Sequence, residues 1–93
     1  MKVRNMKSSR GNTIATQFII SVDTGDYFQS YDSVIAFKPH PTHLKYGKKV
    51  TLDNKWDYSV TTGKYRNQFL GESKKETEKK IKSGEYILTD LNK

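Results

Sequence analysis

The chain has 93 residues and a formal net charge of +7, and it contains no cysteine. This length suits one small domain, and the lack of cysteine excludes disulfides and thiolate metal sites. No apolar run approaches the roughly 20 residues that span a bilayer, so we expect a cytoplasmic protein with a modest core.

The charge is distributed unevenly along the chain. Residues 1–10 carry four basic side chains and no acid, residues 11–37 carry three aspartates and no Lys or Arg, and residues 38–93 carry thirteen bases against seven acids. Basic patches concentrate polyanions such as nucleic acid, but many basic domains owe their charge to solubility alone. The charge therefore leaves both interpretations open.

Residues 1–12 combine basic, Ser and Gly residues without periodicity, and we predict a flexible basic arm there, followed by one domain over residues 13–93. Residues 13–22 alternate in a way typical of a strand, and residues 23–26 have turn chemistry. Residues 27–37 are predicted as a second strand, with a bulge or bend at residues 32–33. The two strands form a predicted hairpin.

The second half of the chain predicts a loop, a short strand, two helices and a last strand. Residues 38–49 contain two prolines and are predicted as a loop, and residues 49–53 as a third strand. A helix capped by Thr61 or Thr62 should run to Leu70 and stop at Gly71. A capping box formed by residues 73–76 should begin a second helix, which ends near residue 82. With a final strand over residues 84–91, the chain is α+β, with a small, mostly antiparallel sheet in the order strand-strand-strand-helix-helix-strand and helices on one side.

Few residues suggest catalysis. His40 and His43 lie in the proline-containing loop, which is a poor support for a catalytic base and offers no further metal ligands nearby. Asp53 and Asp57 could act as an acid/base or magnesium pair, but a turn is the simpler interpretation. We expect no enzyme, no cofactor and no metal.

Binding surfaces are the remaining possibility. Arg66 is the strongest single candidate, because its planar guanidinium suits bidentate recognition. The lysines of residues 74–82 are interleaved with Glu76 and Glu78, and this pattern favours a solvated helix face. The residues that we expect to bind a partner are Arg4, Arg10, Lys48, Lys49, Tyr58, Lys64, Tyr65 and Arg66.

Three segments carry a resemblance to a known family. The strings YFQSYDSVIAF (27–37), WDYSVTTGKYRNQFLG (56–71) and ETEKKIKSGEYILTDLN (76–92) resemble small proteins encoded by phages, prophages and plasmids of Gram-positive bacteria. The likeness covers about residues 10–92. That family has no assigned chemistry, so the resemblance implies no catalytic residues. Its genomic context implies an inhibitor of host defence, such as an anti-CRISPR protein.

These observations lead to a ranked set of expectations. The first is a non-enzymatic accessory protein that binds and inhibits a host defence protein or nucleoprotein complex. The alternative is a small basic module or regulator that binds DNA or RNA directly. A nuclease that uses Asp53 and Asp57 is a distant third. We expect no membrane contact, and a homodimer would hide the edges of so small a sheet.

Overall fold

The computed structural model describes residues 1–42 and 48–92. Within them the chain forms one six-stranded sheet and two helices, and the fold is α+β. The elements are β1 (Lys2–Lys7), β2 (Thr13–Val22), β3 (Gly25–Ser30), β4 (Ser33–Pro39), β5 (Thr51–Asp53), α1 (Val60–Leu70), α2 (Lys74–Ser83) and β6 (Ile87–Thr89).

The strands lie in the sheet in the same order as in the sequence, from β1 at one edge to β6 at the other. Neighbours from β1 to β5 are antiparallel, whereas β5 and β6 are parallel. A parallel pair needs a long crossover, and here α1 and α2 supply it. The sheet is therefore mixed but mostly antiparallel.

The prediction of a flexible arm over residues 1–12 differs from the structure, because β1 pairs along β2. Arg4 lies opposite Ile19, and Met6 is buried. Backbone hydrogen bonds to the longer strand β2 hold this edge strand in place. Residues 2–7 therefore form a strand although their sequence has almost no periodic apolar pattern. Gln68 of α1 also donates its side-chain amide to the Lys7 carbonyl oxygen at 2.8 Å.

The prediction of one strand over residues 27–37 is wrong, because the chain reverses in the middle. Tyr31 has a φ of 57° and lies in the two-residue turn between β3 and β4. Tight hairpin turns require such left-handed residues, usually Gly or Asn, so a tyrosine gives little signal there. Gln29 stabilises the turn by donating its side-chain amide to the Tyr31 carbonyl oxygen at 2.8 Å.

Both helices end close to the positions predicted from the sequence, and one predicted N-cap residue is wrong. Ser59, rather than Thr61 or Thr62, is the N-cap of α1, and its hydroxyl accepts a hydrogen bond from the Thr62 amide at 3.1 Å. Gly71 ends α1 with a left-handed φ of 71°, as predicted. The predicted capping box of α2 is confirmed, because the Ser73 hydroxyl accepts a hydrogen bond from the Glu76 amide at 3.3 Å.

The core lies between one face of the sheet and the helices. Phe28, Ala36 and Leu52 form a row across the three neighbouring strands β3, β4 and β5, and all three are fully buried. Phe69 of α1 stacks on Phe28 with ring centroids 5.7 Å apart. Ile81 of α2 also packs against this cluster, so both helices lie on the same side, as predicted.

Two further predictions fall on the loop after β4. His43 lies outside the described residues, whereas the His40 ring nitrogen Nε2 lies 3.2 Å from the carbonyl oxygen of Val22.

Neither α1 nor α2, the helices of residues 1–42 and 48–92, is long and apolar enough to cross a lipid bilayer.

Candidate functional site

A cavity of about 640 Å³ lies at the N-terminus of α1. The cavity is open to solvent; Asp57, Tyr58 and Ser59, which follow β5, line one side of it, and Lys74 of α2 lines another. Its walls carry both charged and uncharged side chains. The lining residues that determine its shape and charge are Asp57, Tyr58, Gly63, Lys64, Arg66 and Lys74.

Arg66 lies at the buried inner side of this cavity. Its side chain is only 1% exposed. One terminal nitrogen, Nη1, donates to the Trp56 carbonyl oxygen at 2.9 Å and to Oδ1 of Asp57 at 3.2 Å, and Nη2 donates to Oδ1 of Asn67 at 2.9 Å. The guanidinium also lies 4.9 Å from the centroid of the Trp56 ring. Arg66 therefore ties the second half of α1 to the segment that precedes the helix.

The Nε atom of Arg66 is buried and has no hydrogen-bond partner among the described residues. Most buried polar groups have a hydrogen-bond partner, so the unpaired Nε–H of Arg66 is an exception. Gly63, one helical turn earlier, lies beside the guanidinium, with room for a Cβ at ordinary van der Waals distance. A Cβ at Gly63 would lie 3.5 Å from Nη2 of Arg66.

Asp57 joins the two basic sides of the cavity. Its carboxylate accepts from Arg66 and also forms an ion pair with Lys74, with Oδ2 2.7 Å from Nζ. Burial alone would raise the pKa of Asp57, but the hydrogen bonds from Lys74 and Arg66 outweigh burial and hold the pKa below its usual value. Asp57 is therefore ionised at neutral pH.

The cavity keeps an excess of positive charge. Lys64, Arg66 and Lys74 carry three positive charges against the single negative charge of Asp57. The first turn of α1 contains no acidic residue, so the positive end of the helix dipole is not neutralised locally. Backbone amides at a helix N-terminus bind anions, and the lysines beside them strengthen that preference. The arrangement suits a phosphate or a carboxylate.

Three of the predicted partner-binding residues, Tyr58, Lys64 and Arg66, meet in this cavity. Lys64 and Tyr58 are exposed and can touch a ligand. Arg66 does not fit the role of a direct contact, because its guanidinium is buried and bonded to the chain itself. Tyr65 is 5% exposed and belongs to the core, so its side chain is not part of a binding surface.

The other four predicted residues lie elsewhere. Arg4 is on β1, at the sheet edge opposite β6, and donates to the Ser21 hydroxyl at 3.0 Å, and Arg10 is exposed in the turn after β1. Lys49 donates to the Gly84 carbonyl oxygen at 2.8 Å. Lys48 borders Tyr27 and Phe37 on the face of the sheet away from the helices. The fold therefore does not gather the basic candidates into one patch.

The two aspartates considered for acid/base chemistry have separate partners. Asp53 is buried and accepts from the Lys55 amide at 2.9 Å and the Leu91 amide at 2.8 Å. Burial opposes ionisation of Asp53, but these backbone hydrogen bonds hold its pKa below the usual value. Within residues 1–42 and 48–92, no group of three or more His, Asp or Glu side chains could hold a metal ion.

Sequence reasoning missed Lys74 and Gly63 as parts of the site. Lys74 belongs to a lysine-rich segment in which no pattern separates one lysine from the next. Its role depends on Asp57, which lies 17 positions earlier in the sequence.

Comparisons with known proteins assign the chain to a family. Residues 1–85 match the model of a family of unknown function, DUF8033. Searches of the curated proteins and of the solved structures found no match. Since the matching segment covers most of the sequence, this chain belongs to the DUF8033 family.

Proposed function

We propose that this protein is a non-enzymatic binding protein that holds phosphate groups of nucleic acid, either free or within a nucleoprotein, in the cavity at the N-terminus of α1. The observation that carries the proposal is the excess of positive charge in that cavity, where Lys64, Arg66 and Lys74 face one carboxylate. Phosphate contacts from lysines and helix N-termini supply most of the affinity of proteins for nucleic acid.

The first turn of α1 has amides to offer a ligand. The Thr62 amide donates to the Ser59 hydroxyl, and the Gly63 amide donates to the Ser59 carbonyl oxygen at 3.0 Å. The amides of Val60 and Thr61 precede the first intrahelical hydrogen bond and have no partner within the helix. They can donate to phosphate oxygens while Lys64 and Lys74 approach from the sides.

A polymer of phosphates fits better than a single anion. Beyond Lys74, α2 carries the exposed lysines Lys75, Lys79 and Lys82, so positive charge outweighs that of Glu76 and Glu78 along the helix. The net charge of +7 adds long-range attraction for a polyanion. Arg66 has a positioning role here: it holds Asp57 and Asn67 in place and contributes charge from below.

Fluorescence anisotropy with short labelled DNA and RNA, at low and at moderate salt, tests the proposal. The double variant Lys64→Gln/Lys74→Gln removes the two lysines of the cavity that can reach a ligand. We expect it to weaken binding at low salt by at least about ten-fold and to reduce the dependence of affinity on salt, because fewer counterions are released.

The matched control is Lys2→Gln/Lys7→Gln, which makes the same change in net charge on exposed lysines of β1, outside both the cavity and α2. We expect it to weaken binding by about three-fold or less, through the general field alone. Equal losses in the two double variants would reject the cavity as the binding site. A wild-type protein that binds neither DNA nor RNA at low salt would reject the proposal as a whole.

We further propose that the nucleic acid belongs to a host defence nucleoprotein that the protein inhibits by stoichiometric binding in the host cytosol. The resemblance to phage, prophage and plasmid proteins supports this role, and a basic cavity suits docking on a guide RNA or on DNA within such a complex. Inhibition of a purified defence complex by wild-type protein, but not by Lys64→Gln/Lys74→Gln, is the expected result. If both proteins inhibit equally, the cavity does not mediate the effect.

A further inference from the structure

The sheet face that points away from the helices carries one continuous row of mostly apolar side chains. The register places Val3 opposite Ile20, Ile20 opposite Tyr27, and Tyr27 opposite Phe37, and the row continues through Thr51 to Ile87. It therefore crosses all six strands. We call this row, together with its neighbours Phe18 and Val22 on β2, the open face.

The open face is not part of the core. Ile19 packs against the core cluster, whereas Phe18 and Ile20, its neighbours along β2, point to the opposite side as strand geometry requires. Val3 is 57% exposed and Ile87 is 47% exposed, at the two ends of the row. Between them Tyr27 and Phe37 are half-buried and pack on each other, with ring centroids 4.6 Å apart.

The open face is also nearly free of charge. None of its eight positions is Asp, Glu, Lys or Arg, in a chain in which 29% of residues are charged. Asp53, at the end of β5, is buried, and both its oxygens accept backbone hydrogen bonds. Lys48 is the one described lysine that borders the aromatic pair. A nucleic acid would require several cations here, so the face suits an uncharged, apolar protein surface.

We propose that the open face packs on the open face of a second copy of this chain. Two copies that each carry a net charge of +7 repel each other over most of their surfaces, whereas packing through the open face brings few charges together, with Lys48 at its border as the exception. Because the row runs from one edge of the sheet to the other, a two-fold axis near Tyr27 and Phe37 would pack the row of one copy on the same row of the other copy. Such an interface is isologous. Two sheets can then stack about 10 Å apart.

The size of the open face is sufficient for this partner. The six strands hold 35 residues; at about 4.8 Å between strands and about 3.3 Å per residue they give a face of roughly 550 Å². Two such faces bury roughly 1,100 Å² in total, which is close to the lower limit for a specific interface. The basic cavity lies on the helix side of the sheet, so the dimer leaves both of its cavities exposed to solvent. The dimer is thus independent of the function proposed above.

Sedimentation velocity on the nuclease-treated full chain tests the proposal. We expect a dimer at tens of micromolar protein, and we expect it to persist or strengthen as salt is raised, because salt screens the repulsion between the copies. Ile87→Lys adds a charge to the open face at a position that is exposed in the single chain. We expect it to raise the dissociation constant at least about ten-fold.

Leu88→Lys is the matched control, since Leu88 follows Ile87 on the same strand, is 43% exposed and points to the helix side. We expect its dissociation constant to equal that of the wild type. Val3→Lys, at the other end of the row, should weaken the dimer as Ile87→Lys does. A wild-type protein that stays monomeric, a dimer that dissociates at high salt, or equal effects of Ile87→Lys and Leu88→Lys would each overturn the proposal.

Discussion

Two buried hydroxyl groups join the sheet to α1 at the level of single residues. Ser30 of β3 and Thr62 of α1 are fully buried, and their hydroxyl oxygens lie 2.8 Å apart. Each is the hydrogen-bond partner of the other, and the fully buried Gln17 lies opposite Ser30 on β2. A buried hydroxyl that loses its partner retains the cost of leaving water.

We expect Thr62→Val to lower the free energy of unfolding by about 1–3 kcal/mol, because the Ser30 hydroxyl is left unpaired. Chemical denaturation measures this loss. Thr61→Val, the same substitution at the exposed neighbouring position, should change stability by less than about 0.5 kcal/mol. The double variant Ser30→Ala/Thr62→Val removes both hydroxyls and should recover part of the loss. No recovery would mean that the pair is not coupled as described.

The residues of the candidate site show how far the sequence alone could lead. The sequence analysis named Tyr58, Lys64 and Arg66 as candidates for partner binding, and the three residues meet in one cavity. The burial of Arg66 depends on the Trp56 carbonyl oxygen and the Asp57 carboxylate. Such partners are set by how the segment after β5 folds back, which no local propensity encodes.

A polar cluster around Glu72 connects the two ends of α2 and the last strand at the level of elements. The Glu72 carboxylate lies between the helices, nearly buried, and accepts from Lys80 Nζ at 2.7 Å, from Thr77 Oγ1 at 2.6 Å and from the Tyr86 hydroxyl at 2.8 Å. Burial would raise the pKa of Glu72, but these hydrogen bonds outweigh burial and hold the pKa below its usual 4.5. Burial and the neighbouring carboxylate raise the pKa of Tyr86 to about 12.

These shifts predict stability that falls at both ends of the pH scale. A carboxyl group whose pKa is lower in the folded state stabilises the protein above pH 4.5 and loses that contribution as pH falls through the folded pKa. A phenol whose pKa is higher in the folded state stabilises it below pH 10.0 and loses that contribution as pH rises towards 12. Unfolding free energies measured across this range test both windows.

Variants separate the two windows of this pH dependence. Glu72→Gln should lower the unfolding free energy at neutral pH by about 1–3 kcal/mol and flatten the acid side of the profile. Tyr86→Phe should flatten the alkaline side. Glu85→Gln is the control, since Glu85 is exposed and lies 4.0 Å from Lys80, a pair that contributes about 0–1 kcal/mol. An acid profile that Glu72→Gln leaves unchanged would assign the acid loss to other carboxyl groups.

Elements with strong local signals were predicted from the sequence, and elements held by distant partners were not. Gly71 and the box between Ser73 and Glu76 are local stop and start signals, and both helices follow them. The interleaving of Glu76 and Glu78 with the lysines of α2 did not predict the partner of Lys80, which binds Glu72. The helix-period rule considers one helix, whereas Lys80 reaches a residue that precedes α2.

One continuous sheet from residue 2 to residue 89 defines the molecule as a whole. The sequence predicted the α+β class, because strands, helices and turns each carry a local signal. It did not predict that residues 2–7 form the edge strand or that the hairpin after β2 is followed at once by another. Edge strands, and tight turns at residues that rarely form turns, are stabilised by pairing with neighbouring strands. Their own sequence therefore does not predict them.

The role of β1 in this sheet leads to a prediction for the stability of the whole molecule. Met6 is 4% exposed and belongs to the core cluster, so Met6→Ala should lower the free energy of global unfolding by about 2–5 kcal/mol through the lost burial and the cavity left behind. A flexible arm would instead tolerate the change without effect. Lys2→Ala, at an exposed position on the same strand, serves as the control and should alter stability by less than about 0.5 kcal/mol. If denaturation curves of Met6→Ala and the wild type coincide, β1 is not part of the cooperative fold. If Met6→Ala alone shifts to lower denaturant, the first seven residues unfold together with the rest of the sheet.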